Sequence, residues 1–185
     1  MEYVEPIKDV ESIDAIKEVL KKKSQRDLLL FVFGINTGIR GHDLLSLKVG
    51  DVRDETGQKE FLCIKDEQEI FMYYLNSRIQ TELGAYLAKH PLEDDDYLFM
   101  SKKKGHPITR QQAYRIINTA AKEVGICGKI GMHTLRKTFG YHAYRKGIAI
   151  SILMETYKHS SPSETLKYIG IKEEDKRLVK VDVNL

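Results

Sequence analysis

The stretch HTLRKTFGYHAYRKGIAISILMETYKHSSPSETLKYIGI, His133 to Ile171, decides the reading of the chain. His133 and Arg136 stand three apart, so on a helix they project from one face. An apolar segment follows and ends at His159, just before Ser160-Ser161-Pro162, a step that stops one helix and starts the next. Tyr168 comes nine residues after His159 and two before Gly170. Two histidines, an arginine and a tyrosine on three short helices suit attack on a phosphodiester. The arginine holds phosphate oxygens bidentately, the histidines move or donate protons, and the phenol is a nucleophile. Each feature alone has an ordinary explanation: a chance surface pair, a half-buried core tyrosine, a capped helix start. Order and spacing together carry the argument.

In that arrangement the residues resemble the C-terminal half of the tyrosine recombinase (phage integrase) family, Xer-type members included. The family pattern is an HxxR box, a histidine before a Ser-Ser or similar step, and a nucleophilic tyrosine nine residues on. Upstream, NTGIRGHDLLSLKVGDV (Asn36 to Val52) is similar to the family's first arginine box, with Arg40 as its arginine. The resemblance runs from about Ser24 to Ile171. It implies a mainly α fold of α+β type, a helical bundle with one small antiparallel β-sheet. It also implies that residues 1–185 are a single catalytic domain, without the helical core-binding domain that typical members carry N-terminal to it.

The resemblance implies a reaction as well. Tyr168 attacks the scissile phosphate to give a 3′-phosphotyrosine and a free 5′-hydroxyl, and a hydroxyl on the partner strand then rejoins the ends. Arg40 and Arg136 neutralise charge on the non-bridging oxygens, His133 is the base for a phenol scarcely ionised at neutral pH, and His159 donates to a phosphate oxygen. Asp43, three after Arg40, takes a supporting position. The bond energy is conserved in the covalent intermediate, so no cofactor and no metal is expected. The expected partners are double-stranded DNA and further copies of the chain: a homo-tetramer on DNA, a monomer or weak dimer alone. A C-terminal segment would dock on the next subunit. Two alternatives stay open at this level: strand relaxation of the type IB topoisomerase kind, and a catalytically silent DNA-binding accessory protein.

Length and composition agree with one domain. A chain of 185 residues can bury about 70% of its unfolded surface without disulfides or metal. Cys63 and Cys127 lack any ligand spacing and read as two small buried thiols in a reduced interior. No signal peptide and no apolar run of membrane-spanning length is present, which points to the cytoplasm. The formal charge of +3 conceals an asymmetry. Residues 1–100 carry 13 Lys+Arg against 20 Asp+Glu, and residues 101–185 carry 17 against 7. A basic half holding the phosphate-directed residues suits a polyanion, although surface lysines by themselves mean only solubility.

In chain order, residues 7–22 read as an amphipathic helix with Ile13, Ile16, Val19 and Leu20 inward and Ser12 as a cap. Gln25 to Ile35 is a second helix, apolar nearly all round and therefore buried. Gly38 suits the left-handed position after its end. Arg40 then falls at the start of the helix DLLSLKVG, which buries Leu44, Leu45 and Leu47. FLCIK and EIFMYYL are β-rich and separated by a short polar turn, so a hairpin is expected. Lys65 matches the family's hairpin lysine, the proton donor to the leaving 5′-oxygen, but its turn is Asp66-Glu67-Gln68-Glu69 where the family carries glycine and basic residues. Ser77 to His90 is a helix, Asp94 to Asp96 an acidic loop, and Lys102, Lys103 and Lys104 a basic one. Pro107 to Val124 is a helix capped by Thr109. Arg110, Gln111, Gln112 and Arg115 crowd its start, side chains of the kind that read bases in the major groove; a solvated polar face is the plain alternative.

Overall fold

The computed structural model describes residues 4–66, 69–103, 105–172 and 175. At its centre lies α2 (Gln25–Thr37), in which every residue from Leu28 to Gly34 is buried. Ser24 ends the helix before it, α1 (Val10–Lys23), and starts α2. Its backbone N–H donates to Leu20 O at 2.8 Å while its Oγ accepts from Asp27 N at 3.3 Å. α1 buries Ile13, Ile16 and Leu20, whereas Val19 is only partly covered. Its cap is Asp9, whose carboxylate accepts from the Glu11 and Ser12 backbone N–H groups. Ser12, the cap expected from sequence, spends its hydroxyl on Asp9 Oδ2 at 2.6 Å. A carboxylate fills the same donors and also answers the helix dipole.

The segment expected as one helix over DLLSLKVG is two: α3 (Gly41–Ser46) and α4 (Val49–Val52). Leu47 and Lys48 between them are extended, because this backbone pairs elsewhere. Leu98 N donates to Leu47 O at 2.8 Å, Val49 N to Asp96 O at 3.0 Å and Gly50 N to Asp94 O at 2.9 Å. The acidic loop thus serves as a scaffold, and Arg53 Nε adds a bond to Asp94 Oδ1 at 2.8 Å. Leu44, Leu45 and Leu47 are buried as expected.

Among the described residues there are two antiparallel sheets, one more than the single sheet expected. The additional one is a two-residue ribbon, β1 (Arg53–Asp54) with β2 (Gly57–Gln58), too short to leave a periodic signal. The hairpin pairs β3 (Phe61–Asp66) with β4 (Glu69–Tyr74) in a register that sets Lys65 opposite Ile70. Leu62 and Tyr73 face the core; Phe61, Ile70, Met72 and Tyr74 face outward. Strand alternation also corrects one cysteine: Cys63 lies on the outward face and is exposed, as is Cys127 in the loop near Gly125. Neither is a buried thiol.

α5 (Ser77–Lys89) buries Ile79, Leu83 and Tyr86 against α2. α6 (Arg110–Glu123) is capped by Thr109 as expected, its Oγ1 accepting from Gln112 N at 3.1 Å. α7 (Met132–Arg145) crosses α2, and α8 (Ile150–Tyr157) and α9 (Pro162–Tyr168) fold over its far end. A second, smaller apolar cluster forms there from Tyr141, Leu153, Tyr157, Ile169 and Ile171. No helix among the described residues is long and apolar enough to cross a membrane. Lys104 and residues 173, 174 and 176–185, which include the C-terminal segment expected to dock on the next subunit, lie outside the described residues.

The end of α2 sets the position of everything near Arg40. Gly38 is left-handed (φ 64°), and a Cβ there would run into the Phe139 ring of α7. Gly38→Ala should therefore destabilise the fold by about 2 kcal/mol or more. Thermal unfolding should show this as a melting temperature lower by roughly 4–8 °C; an unchanged one would mean that the two helices separate here without penalty.

Candidate active site

α7 begins the site. Gly131 N donates to Thr134 Oγ1 at 3.2 Å at the helix start, and the helix then carries His133 outward and Arg136 inward. Arg136 is 7% exposed. Nη1 donates to the carbonyl of Gly38, at the end of α2, and Nη2 to Thr156 O, in α8, at 2.9 Å. Its Cζ lies 4.6 Å from the centroid of the Tyr157 ring. Among the described residues no carboxylate forms an ion pair with it, so carbonyl dipoles and an aromatic face hold a cation ready for an anion.

Tyr168 is delivered to the same place by a well-capped turn. Ser161 Oγ accepts from Glu164 N at 3.2 Å, Pro162 occupies the first helical turn, and Glu164 reaches back to Ser160 N at 3.0 Å. The Tyr168 ring lies 5.0 Å from that of Tyr157 and 5.0 Å from that of His159. Burial pushes its phenol pKa up, and the charge and hydrogen bond of Arg136 oppose that. A raised phenol needs a base to become a nucleophile.

His159 follows Lys158, a non-glycine residue in the left-handed region (φ 59°) that ends α8 and turns the chain into the site. The Thr165 hydroxyl donates to Ser161 O at 3.3 Å and is then left to accept from His159 Nδ1, 3.1 Å away. Nε2 faces Glu164 Oε1 at 4.0 Å.

His133 is exposed and faces α6, where Arg110 Nη2 lies 3.5 Å from its Nε2. A guanidinium only donates, so Nε2 is the acceptor and the imidazole is neutral. Burial first, then the charges of Arg110, Lys137 and Arg136, lower its pKa below 6.5. That is the state a proton acceptor needs at neutral pH.

Arg40 reaches the site less directly. It precedes α3 in extended conformation, as expected, but its half-exposed guanidinium donates to Asp66 Oδ2 at 3.0 Å and lies 5.7 Å from the Phe71 ring. The neighbouring Lys65 is exposed near the turn of the hairpin, and no hydrogen bond or ring contact joins it to Arg136 or Tyr168 among the described residues. Asp43 lies in the first turn of α3, 3.4 Å from His42 Nδ1. Of the residues expected to meet DNA, Arg110, Gln111, Gln112, Arg115, Lys102 and Lys103 are all exposed. Gln112 is partly spent, because its Oε1 accepts from Thr109 N at 2.8 Å and closes a capping box.

Two residues escaped the sequence reading. Lys137 is 7% exposed, with Nζ donating to Val4 O at 2.8 Å and lying 5.1 Å from the Tyr168 ring centroid. Burial lowers its pKa. Its spacing of four from His133 was the available signal. Tyr157 touches Arg136, His159 and Tyr168; only its place two residues before His159 hinted at this.

Since Arg110 is one cause of the depressed His133 pKa, Arg110→Ala should raise it toward 6.5. A base works only when deprotonated, so the acid limb of any His133-dependent rate should move to higher pH. NMR titration of the His133 ring checks this directly, and an unshifted midpoint would leave the shift to burial and the charges of Lys137 and Arg136.

Comparison with known proteins agrees with this geometry. The model of the Phage integrase family matches residues 8–175. The chain is 40% identical over 179 residues to the Probable integrase/recombinase YoeC of Bacillus subtilis (strain 168), covering 96% of this chain and 95% of that one. It is 30% identical over 154 residues to a Tyrosine recombinase of Pseudothermotoga lettingae, but spans only 52% of that protein's length. Among solved structures, XerA recombinase superposes with a TM-score of 0.77 at 22% identity, over 95% of this chain and 62% of XerA. The catalytic domain of bacteriophage HP1 integrase gives 0.61 at 18% identity, over 92% of this chain and 90% of that domain. These two show the shared fold. With the family model spanning nearly the whole chain, and Arg136, His159 and Tyr168 gathered around the Tyr157 ring, this chain belongs to the phage integrase family of tyrosine recombinases.

Proposed function

We propose that this chain is the catalytic domain of a site-specific DNA recombinase that cleaves and rejoins strands through Tyr168. The observation that carries the proposal is the buried Arg136 guanidinium, held by carbonyls beside the Tyr168 phenol and paired with no carboxylate among the described residues. The phenol oxygen attacks the scissile phosphorus in line. The bond from phosphorus to the tyrosine forms as the bond to the 5′-oxygen breaks. The phenol proton passes to neutral His133, and Lys65 supplies a proton to the leaving 5′-oxygen. Arg136, Arg40 and His159 hold the non-bridging oxygens, the electrostatic contribution expected to dominate phosphoryl transfer. Asp43 supports the arginine box. Religation runs the same steps backward from a 5′-hydroxyl.

Double-stranded DNA is the substrate this reading requires. The basic balance of residues 101–185 supports it, as do the exposed Arg110, Gln111 and Arg115 at the start of α6. Lys102 and Lys103 would contact backbone phosphates. The working assembly in this reading is four copies on two duplexes, with the C-terminal segment of each docked on the next. A groove of about 990 Å³ between the hairpin and α7–α8, with Ile70, Met72, Ile148 and Ile152 at its rim, would receive an apolar segment.

A nicked suicide substrate tests the reaction. Tyr168→Phe should abolish the covalent protein–DNA adduct while leaving DNA affinity and thermal stability nearly unchanged, because only the phenol oxygen is removed. An adduct that persists would move the nucleophile elsewhere. The acid is tested separately. Lys65→Ala should slow cleavage of normal DNA yet spare a substrate whose leaving 5′-oxygen is replaced by sulfur, since a thiolate departs without protonation. Equal slowing of both substrates would remove Lys65 from that role.

A further inference from the structure

We infer that Tyr157 is a positioning residue for this reaction: its ring fixes the Arg136 guanidinium beside Tyr168, and its hydroxyl ties α7 to α8. The inference rests on the proposed strand-cleavage reading.

Tyr157 is the last residue of α8 and is 7% exposed. Its Oη donates to the backbone carbonyl of Arg136 at 2.9 Å. Its ring centroid lies 4.6 Å from Arg136 Cζ, 5.0 Å from the Tyr168 ring and 5.6 Å from the His159 ring. One side chain therefore touches three of the groups that act on the phosphate. The seat is built for a phenol: a Cβ at position 140 would collide with Tyr157 Oη, so α7 admits the ring only because Gly140 lacks one. Tyr157 is no competing nucleophile, because burial drives its pKa far up and its proton is committed to a carbonyl.

An aliphatic residue could fill the same volume, but it could not hold a cation. With Nη1 on Gly38 O and Nη2 on Thr156 O, the guanidinium is fixed at two corners. The Tyr157 face, negative at its centre, fixes the plane. Arg136 also hydrogen-bonds the Tyr73 and Tyr168 side chains, and the rest of its N–H groups are left for an arriving phosphate. Thr156 precedes Tyr157 directly, so loss of the ring also loosens one of the two acceptors.

The test separates positioning of Arg136 from packing by changing the charge on the phosphate. A methylphosphonate at the scissile position lacks one anionic oxygen and depends less on the arginine. Single-turnover adduct formation on a nicked substrate is measured for both linkages, with DNA affinity and melting temperature in parallel. Tyr157→Leu should slow the phosphodiester by about 30-fold or more, the scale of a desolvated cation–π contact, and the methylphosphonate by under about threefold. Tyr157→Phe, which keeps the ring face, should stay within about threefold on both. If Tyr157→Leu fails to fold, 3,4,5-trifluorophenylalanine in place of Tyr157 gives the same contrast against Tyr157→Phe, since it keeps the shape and drains the face. Equal slowing on both linkages would make Tyr157 merely structural, and no slowing would leave it without a role. Either overturns the inference while the cleavage reading stands. An unmutated chain that forms no adduct on either linkage overturns the cleavage reading, and the positioning role with it.

Discussion

A buried guanidinium is the constraint on which this structure turns. Moving a cation out of water costs several kcal/mol even after relaxation, and Arg136 has no carboxylate to offset that among the described residues. It is held instead by the carbonyl of Gly38, the carbonyl of Thr156 and the face of Tyr157. Those three come from the end of α2 and the end of α8, the edges of the large core and of the small apolar cluster. The interaction that prepares the chemistry is therefore also the one that joins the two packing units. The left-handed turn at Gly38 brings one carbonyl to it, and the absent side chain at Gly140 makes room for the aromatic platform.

The hairpin is joined to this centre by charge. From sequence, the turn Asp66 to Glu69 reads as an obstacle, since carboxylates beside Lys65 repel DNA. The structure gives two of these acids another use. Asp66 accepts from Arg40 at 3.0 Å, and Glu69 pairs with Lys158, whose ammonium also lies 4.7 Å from the Phe71 ring. Both pairs are solvent-exposed, of the kind worth ~0–1 kcal/mol, so they orient the hairpin without locking it. In the proposed reaction the carboxylate of Asp66 stands where a phosphate oxygen would meet Arg40, and DNA must displace it.

Much of this was legible beforehand because the relevant signals are local. Ser161, Pro162 and Glu164 specify the start of α9 from four consecutive positions; the spacing of His133 and Arg136 puts both on one helix, but α7 turns His133 outward and Arg136 inward rather than to one face. The buried character of α2 follows from composition alone. What was not legible depends on pairing between distant segments. The break at Leu47–Lys48 exists because that backbone finds partners at residues 96 to 98, and no propensity at Leu47 announces it. Cys63 is exposed because strand register turns it outward. Lys137 and Tyr157 resemble ordinary surface and core residues until α7 and α8 are packed; only then do they border Tyr168.

The titrating groups of the pocket share one direction, and it has a chemical meaning. Burial raises the phenols of Tyr168 and Tyr157 and lowers Lys137 and His133. Each shift favours the uncharged form, as a desolvated site must. Arg136 is the exception, since a guanidinium does not give up its proton. Without DNA, then, the site holds fixed positive charge on Arg136 and, at its edge, on Arg40, among groups drawn toward neutrality. An arriving phosphodiester reverses the balance on Lys137, whose protonated form an anion stabilises. It also brings Arg136 the counter-charge its surroundings lack. The pKa of His133, set apart beside Arg110, is lowered by burial and by the charges of Arg110, Lys137 and Arg136, the direction a proton acceptor needs.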